Sequence, residues 1–422
     1  MQTKNVLLLT YYWPPSGGAG VHRWLRFSKY FKENNCELTV YCPENAAWPA
    51  IDLELQNQVS PDIKVIRREI FEPHKYLQGK GSTGVGFTQT KKQSLFSRLI
   101  VWVRGNLFIP DSRVFWIKPS TRFLLKYLKE HPEINTIIST GPPHSMHLIA
   151  RNLKRKTGIK WIADYRDPWT QIDFYQDLLP GERADKKHKR LEKECLVEPD
   201  EIVTVSNACA EGLAEIADRK IHVVTNGYEF TEFKSEEIKL DDSFSISHLG
   251  SMPFARNPKV LWAALSNLVK NPLFAERLTI NLIGTVDYQV LNSAKEYGLE
   301  KYIHLTPPIS HQESIELQRS TQLLLLVANS SGNVKGILTG KFFEYLGARR
   351  PIIAIGEQNS DLNKAVIDTT SGYFSHFEDN KGLEEYLANA FNQYCDNSLS
   401  ATTTNIDQYN SAVLAKKFMD LL

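Results

Sequence analysis

Two successive series of short apolar runs, each run followed by a stretch at helical spacing, constrain this chain more than any other feature. The first series opens with Asn5-Val-Leu-Leu-Leu-Thr10, turns through Tyr11 to Gly20, continues at helical spacing from Val21 to Phe31 and returns as Glu37-Leu-Thr-Val-Tyr-Cys42. Strand, glycine-rich turn, helix and strand form a βαβ unit of the nucleotide-binding kind, whose ligand belongs at the carboxyl edge of the strands. Further strands are predicted at Thr136-Ile-Ile-Ser139, Lys160-Trp-Ile-Ala163, Glu201-Ile-Val-Thr-Val205 and His222-Val-Val-Thr225, so this half reads as doubly wound α/β. A polar, charge-rich segment from Gly227 to Asp242 precedes the second series, predicted at Phe244 to Leu249, Leu278 to Ile283, Ile303 to Leu305, Leu323 to Val327 and Ile352 to Ile355. A chain of 422 residues holds two domains that each bury a core. They are placed at 1–228 and 229–404, with an amphipathic helix in 405–422.

Composition narrows the class without naming a function. Hydrophobic content of 42% and charged content of 23% exclude disordered and fibrous chains. Five cysteines, an odd number without paired spacing, indicate neither a disulfide framework nor a zinc site, which suits a reducing cytoplasm. The apolar run from Val6 to Trp13 is too short to span a membrane and reads as the first strand. Residues 1–230 carry 33 Lys and Arg against 26 Asp and Glu (+7), whereas 231–422 carry 17 against 22 (−5). A basic first half suits an anionic surface or acceptor. No cofactor, bound metal or nucleic-acid partner is expected.

The stretch Thr339-Gly-Lys-Phe-Phe-Glu-Tyr-Leu-Gly-Ala-Arg-Arg350 followed by Pro351-Ile-Ile-Ala-Ile355 carries the strongest site signal. It predicts a short helix stopped by Gly347 and Pro351, then a buried parallel strand. Thr339 suits the N-cap, Gly340 leaves the first amides approachable, and Lys341 and Glu344 sit three apart on one face while Phe343 and Leu346 turn inward. Free amides and an ammonium hold two phosphates, and a carboxylate one turn on accepts from both hydroxyls of a ribose. A surface Lys-Glu pair is the plainer reading of the same spacing.

This run resembles the donor-binding signature of glycosyltransferase family 4, retaining enzymes of the GT-B fold. The resemblance implies two Rossmann-like domains facing a central cleft, with the C-terminal helix crossing back to the first. It implies that Glu344 binds the ribose of a UDP- or GDP-type sugar nucleotide, that Gly17 and Gly18 lie near the transferred phosphate and sugar, and that the nucleobase lies against Pro307-Pro-Ile309. It further implies a metal-independent transferase acting on a glycan or lipid-linked acceptor in surface-polysaccharide assembly, with the leaving phosphate assisting a same-face substitution.

In the first half, Ser16-Gly-Gly-Ala-Gly20 lies where glycines let backbone amides approach a phosphate, although the run is neither Gly-x-Gly-x-x-Gly nor a Walker loop. Ser139-Thr-Gly-Pro-Pro-His-Ser145 and Asp164-Tyr-Arg-Asp-Pro-Trp169 each follow a predicted buried strand and emerge at one sheet edge. Their candidate catalytic residues are His144, a partner for sugar or acceptor; Asp164 and Asp167, acceptors for hydroxyls; and Arg166, which offsets a phosphate or fixes the loop. A structural Arg166–Asp167 network is the competing reading. His147 and His188 read as ordinary helix residues. Residues 91–119 interleave basic and aromatic side chains, which suits peripheral contact with anionic lipid or a helix with one buried face.

In the second half, His248-Leu-Gly-Ser-Met-Pro-Phe-Ala-Arg-Asn-Pro-Lys259 is a strand end, loop and helix start. Gly250 gives close approach, and Arg256 or Lys259, with Lys341, offsets the departing diphosphate. Three positions depart from the family. Ser251 and Asn257 stand where arginine and lysine are common, and Gly336, eight before Glu344, stands where a first glutamate contacts the donor sugar. Ser251 and Gly336 keep open a non-catalytic nucleotide-binding partner subunit, and the two-domain form keeps open a sugar-nucleotide epimerase.

Overall fold

The computed structural model describes residues 3–48, 50–73, 95–233, 238–330, 334–336 and 338–422. Contacts divide the chain into two units, Met1–Thr225 with Ser411–Leu422, and Asn226–Asn410.

The first unit is built on β1 (Lys4–Leu9), β2 (Cys36–Pro43), β3 (Lys64–Arg68), β4 (Thr136–Gly141), β5 (Lys160–Tyr165), β6 (Glu201–Thr204) and β7 (His222–Val223), all parallel in the order β3-β2-β1-β4-β5-β6-β7. Its helices are α1 (Ala19–Ser28), α2 (Leu95–Asn106), α3 (Val114–Glu130), α4 (Ser145–Thr157), α5 (Glu182–Val197) and α6 (Asn207–Ala217). Alternation in β1 divides the core: Leu7 and Leu9 face a cluster with Trp116, Ile149 and Trp161, whereas Val6 and Leu8 face Trp24, Phe27 and Phe31.

The second unit has β8 (Phe244–Leu249), β9 (Leu278–Ile283), β10 (Ile303–Thr306), β11 (Leu323–Val327), β12 (Ile352–Gly356) and β13 (Gly372–His376), again parallel, in the order β10-β9-β8-β11-β12-β13. Its helices are α7 (Lys259–Leu268), α8 (Pro272–Arg277), α9 (Tyr288–Glu296), α10 (His311–Ser320), α11 (Gly340–Ala348), α12 (Asp361–Thr369) and α13 (Asn380–Cys395). The last helix, α14 (Ser411–Met419), belongs to the first unit. Its Leu414, Ala415 and Phe418 join the Trp24 cluster, and the Phe418 ring meets Trp24 edge-on at 5.0 Å.

In each sheet the strand order reverses once, between β1 and β4 and between β8 and β11. Loops at such a reversal diverge to opposite faces and leave a crevice at the carboxyl edge. The glycine loop and the Pro142–His144 loop flank it in the first unit; the Gly250 loop and the connection into α11 flank it in the second.

Two expectations change. Strands β3 and β13 are edge strands that the apolar runs did not mark. Helix α11 does not stop at Gly347 but runs to Ala348, and Arg349 ends it in the left-handed region (φ 55°). Gly347 instead makes room for Phe233, whose ring a Cβ would meet at 2.5 Å.

Candidate functional site: a cationic pocket at the start of helix α11

Helix α11 is anchored by one face. Phe342, Phe343, Tyr345 and Leu346 are fully buried beside Leu249, Leu324 and Ile352, which leaves Lys341 and Glu344 half-buried on the face with solvent access. Thr339 is the N-cap in extended conformation (φ −70°, ψ 151°), but its hydroxyl caps nothing: Oγ1 is buried without a hydrogen-bond partner among the described residues. A helix start without a side-chain cap keeps amide donors and a positive end available to an anion. A Cβ at Gly340 would meet nothing within 4 Å.

The loop after β8 meets this helix start from the neighbouring strand. Gly250 has φ 107°, and a Cβ there would come within 2.5 Å of Lys341 Cε and Nζ, so only glycine admits this lysine position. Arg256, in the turn Phe254–Arg256, is oriented by Nε donating to Asn329 Oδ1 (2.8 Å) and Nη1 donating to the Ser251 carbonyl (3.4 Å). Among the described residues Lys341 Nζ makes no hydrogen bond. Burial, then the field of Arg256, lowers its pKa from the ordinary 10.5 to about 8 against the opposing pull of Glu344. Two cations beside an uncapped helix start await an anion. Among the described residues no group of three or more His, Cys, Asp or Glu could hold a metal ion.

Neighbouring expectations sort by distance from this pocket. Ile309 is half-buried against the cluster of Leu249, Ile283, Phe342 and Phe343, which brings the loop after β10 beside α11. Lys259 is an exposed first residue of α7; Arg256, not Lys259, acts on Lys341. Asn257 is used structurally, its Oδ1 accepting from Trp262 Nε1 at 2.9 Å. Ser251 contributes its carbonyl to Arg256, and Gly336 closes the short turn Val334–Gly336. The sequence reading passed over His248 as part of a strand. It is fully buried, its Nδ1 lies 3.0 Å from the Leu325 carbonyl, and Nε2 has no partner.

In the first unit, the carboxyl edge of the sheet is tied together by charge. Asp164 is fully buried at the end of β5 and accepts from Arg23 Nε (3.2 Å) and Nη2 (2.9 Å), Trp24 Nε1 (2.8 Å) and Thr140 Oγ1 (2.9 Å). Its lone pairs are engaged by protein donors, so it is a positioning residue that locks α1 to β4 and β5. Arg166 donates to the Gly20 carbonyl (2.7 Å) and the Pro142 carbonyl (2.5 Å) and lies over the Tyr12 ring at 5.6 Å. It therefore clamps the glycine loop to the loop after β4. Asp167 is exposed, with no hydrogen bond among the described residues. His144 stacks in parallel on Trp169 (4.9 Å, 4°), its Nδ1 unpartnered, and burial pushes its pKa down to about 4.

Gly17 donates its amide to the Ala50 carbonyl at 2.9 Å, and exposed Gly18 (φ 85°) precedes α1 with no side-chain cap. Sequence reasoning missed Arg23 and Glu192, and met Arg113 only as one of the basic residues of 91–119. Glu192, from α5, accepts from the Trp169 and Thr170 amides, and Arg113 pairs with buried Glu72 at 3.1 Å. His147 and His188 are held by Ser139 and Trp169, as ordinary helix residues are. Of residues 91–119, those at 91–94 and the side chains at 95–97 lie outside the described residues. The rest splits between buried Ile109 and Trp116 and exposed Leu99, Trp102, Leu107 and Phe115. No described helix is long and apolar enough to cross a membrane.

Comparison with family models and with curated proteins gives no match. Solved structures do match. Sucrose-phosphate synthase from Thermosynechococcus elongatus is similar over 99% of this chain and 98% of its own (TM-score 0.63, 11% identity). Anabaena HepE in complex with UDP-glucose is similar over the same shares (TM-score 0.60, 11% identity). A putative UDP-N-acetylglucosamine 2-epimerase from Listeria monocytogenes is similar over 99% of this chain and 95% of its own (TM-score 0.55, 11% identity). The chain has the GT-B fold of glycosyltransferases, two Rossmann-like domains on parallel sheets of seven and six strands. At such identity the fold carries no reaction with it, because one fold serves several chemistries.

Proposed function

We propose that this chain is a retaining, metal-independent glycosyltransferase that moves a sugar from a UDP- or GDP-type donor to a glycan or lipid-linked acceptor in surface-polysaccharide assembly. The observation that carries the reading is the pocket of the second unit, where Lys341 lies over Gly250, Arg256 is oriented beside it, and α11 starts uncapped. Two phosphates meet the α11 amides, Lys341 and Arg256, and Glu344, one turn along, accepts from the ribose hydroxyls. The loop at Ile309 offers its backbone to the base.

As the bond from the anomeric carbon to the diphosphate breaks, negative charge grows on the phosphate oxygens beside Lys341 and Arg256, where fixed cations favour it most. The acceptor oxygen bonds to that carbon on the same face and gives its proton to the departing phosphate. No protein nucleophile is required, which accords with Asp164 being saturated by Arg23, Trp24 and Thr140. Gly18, Asp167 and His144 are proposed to meet acceptor or sugar in the first unit, with Arg166 fixing the loops around them. The exposed Leu99, Trp102, Leu107 and Phe115 are proposed to support peripheral contact with a lipid surface.

Thermal-shift titration with UDP-, GDP-, ADP- and TDP-sugars, with and without a chelator, tests the reading. Stabilisation by one nucleotide type regardless of chelator is expected, followed by transfer of its sugar with retained configuration. No shift with any nucleotide would overturn it.

A further inference from the structure

His248 occupies an environment that fits the imidazolium, yet its neighbours suppress the charge. The Leu325 carbonyl, 3.0 Å from Nδ1, can only accept, so Nδ1 carries a hydrogen. The Ser251 carbonyl also favours the protonated ring, although Nε2 makes no hydrogen bond. The ring is fully buried, so no solvent donor satisfies the Nε2 lone pair. Burial, then the field of Lys341 and more weakly that of Arg256, holds its pKa down to about 3.

The charged and titratable groups around it come from three elements. Helix α11 supplies Lys341, with Glu344 acting on that lysine, and the Tyr345 phenol, which accepts from the Leu249 amide at 3.2 Å. The turn after β8 supplies Arg256, and the first residue of α7, Lys259, is exposed. In the partner strand β9, uncharged Leu282 lies in register with His248. With the pocket empty the field is cationic. A diphosphate held between Lys341 and Arg256 reverses its sign, and the carbonyls of Leu325 and Ser251 then favour the protonated ring.

Building on the donor site proposed above, we propose that His248 is a proton-accepting positioning residue, neutral while the pocket is empty and protonated at Nε2 from solvent when a nucleoside diphosphate is bound. The only bond formed in this step is N–H, and the ring gains one positive charge. The new donor meets the Ser251 carbonyl, which also accepts from Arg256, so protonation braces the Gly250–Ser251 turn against the phosphates. The added charge stays in place as the leaving diphosphate becomes more anionic.

Calorimetric titration of the full chain with UDP, or with GDP where GDP binds more tightly, in buffers of unlike ionisation enthalpy counts the protons taken up. Near pH 6 Lys341 is already charged, and proton release from the nucleotide is common to both proteins compared. The wild type is expected to take up about half a proton or more beyond His248→Asn, whose amide keeps a donor towards Leu325. Equal counts in two proteins that both bind would overturn the inference and leave the glycosyltransferase reading intact. Failure of both nucleotides to bind the wild type would overturn that reading, and the inference with it. If His248→Asn does not fold, the ring-nitrogen chemical shifts of His248 in the wild type decide. An imidazolium pattern appearing with nucleotide supports the proposal, and a neutral Nδ1–H tautomer in both states overturns it.

Discussion

The Lys341 side chain lies over the α-carbon of Gly250, so closely that a Cβ there would stand 2.5 Å from both Cε and Nζ. A strand-end glycine thereby fixes where the ammonium of a helix from the other side of the sheet reversal comes to rest. Gly250→Ala adds a methyl into that space and places alanine at φ 107°, which costs about 1–3 kcal/mol of stability. The lysine is flexible and swings aside, so the protein is expected to fold with nucleotide affinity reduced about tenfold or more, a loss of about 1.4 kcal/mol or more. Urea unfolding beside UDP or GDP titration separates the two effects. Undiminished affinity would show that the lysine position is not what the phosphates require.

Glu344 lies one turn beyond Lys341, half-buried on the same face of α11. A carboxylate bonding two hydroxyls loses both on truncation, and hydrogen bonds to charged groups contribute about 1.5–3 kcal/mol each. Glu344→Ala should therefore raise donor KM by at least about tenfold, with the melting temperature close to wild type, because the carboxylate makes no hydrogen bond or ion pair among the described residues. Steady-state kinetics with the donor identified by thermal shift checks this. Unchanged KM would remove the ribose assignment.

Asp164 is expected to act through stability. Its carboxylate pairs with buried Arg23 at 2.9 Å, and it also holds Trp24 and Thr140. Removing one partner from a buried ion pair costs about 3–5 kcal/mol. Asp164→Asn should lower the unfolding midpoint of the first unit by that order while nucleotide affinity in the second unit stays within about twofold of wild type. A stable Asp164→Asn protein with abolished turnover would instead mark Asp164 as a group that touches substrate.

Much of this was legible in the sequence, for reasons that differ by element. The central strand β11 is buried along its whole length and reads as a continuous apolar run, β8 and β9 alternate apolar with polar residues over most of their length, and the structure places the three at Leu323–Val327, Phe244–Leu249 and Leu278–Ile283 as expected. The overlooked strands are edges. Lys64-Val-Ile-Arg-Arg68 and Gly372-Tyr-Phe-Ser-His376 pair on one side only, and their charged or polar residues shorten the apolar run that would mark a strand. The start of α11 was legible because its parts are local, an N-cap position, a glycine and two charges within six residues, whereas Gly250 and Arg256 reach it from the loop after another strand. The Arg23–Asp164 pair was not, because its members stand 141 residues apart and no local spacing announces them. His248 escaped because a histidine within an apolar run looks like any strand residue until the tertiary structure shows one nitrogen bonded and the other unpartnered.

The lowered pKa of Lys341 gives a pH dependence whose sign differs between the empty and the occupied protein. In the empty protein, burial and Arg256 disfavour the ammonium, so the folded pKa of about 8 lies below the unfolded 10.5. The unfolded chain then binds more protons between those values, and the stability of the empty protein rises as pH increases through that window. Diphosphate has the opposite preference, because it favours the charged lysine and raises its pKa. Above about pH 8 binding must take up a proton, and nucleotide affinity should fall towards tenfold per pH unit until the bound lysine itself deprotonates. A lysine at its ordinary pKa would hold affinity level to about pH 10. Titrations from pH 7 to 10 in wild type and Lys341→Arg check this, since arginine stays charged throughout and should remove the break near pH 8. An equal slope in both proteins would assign the titration to another group and free Lys341 from the phosphate-binding role.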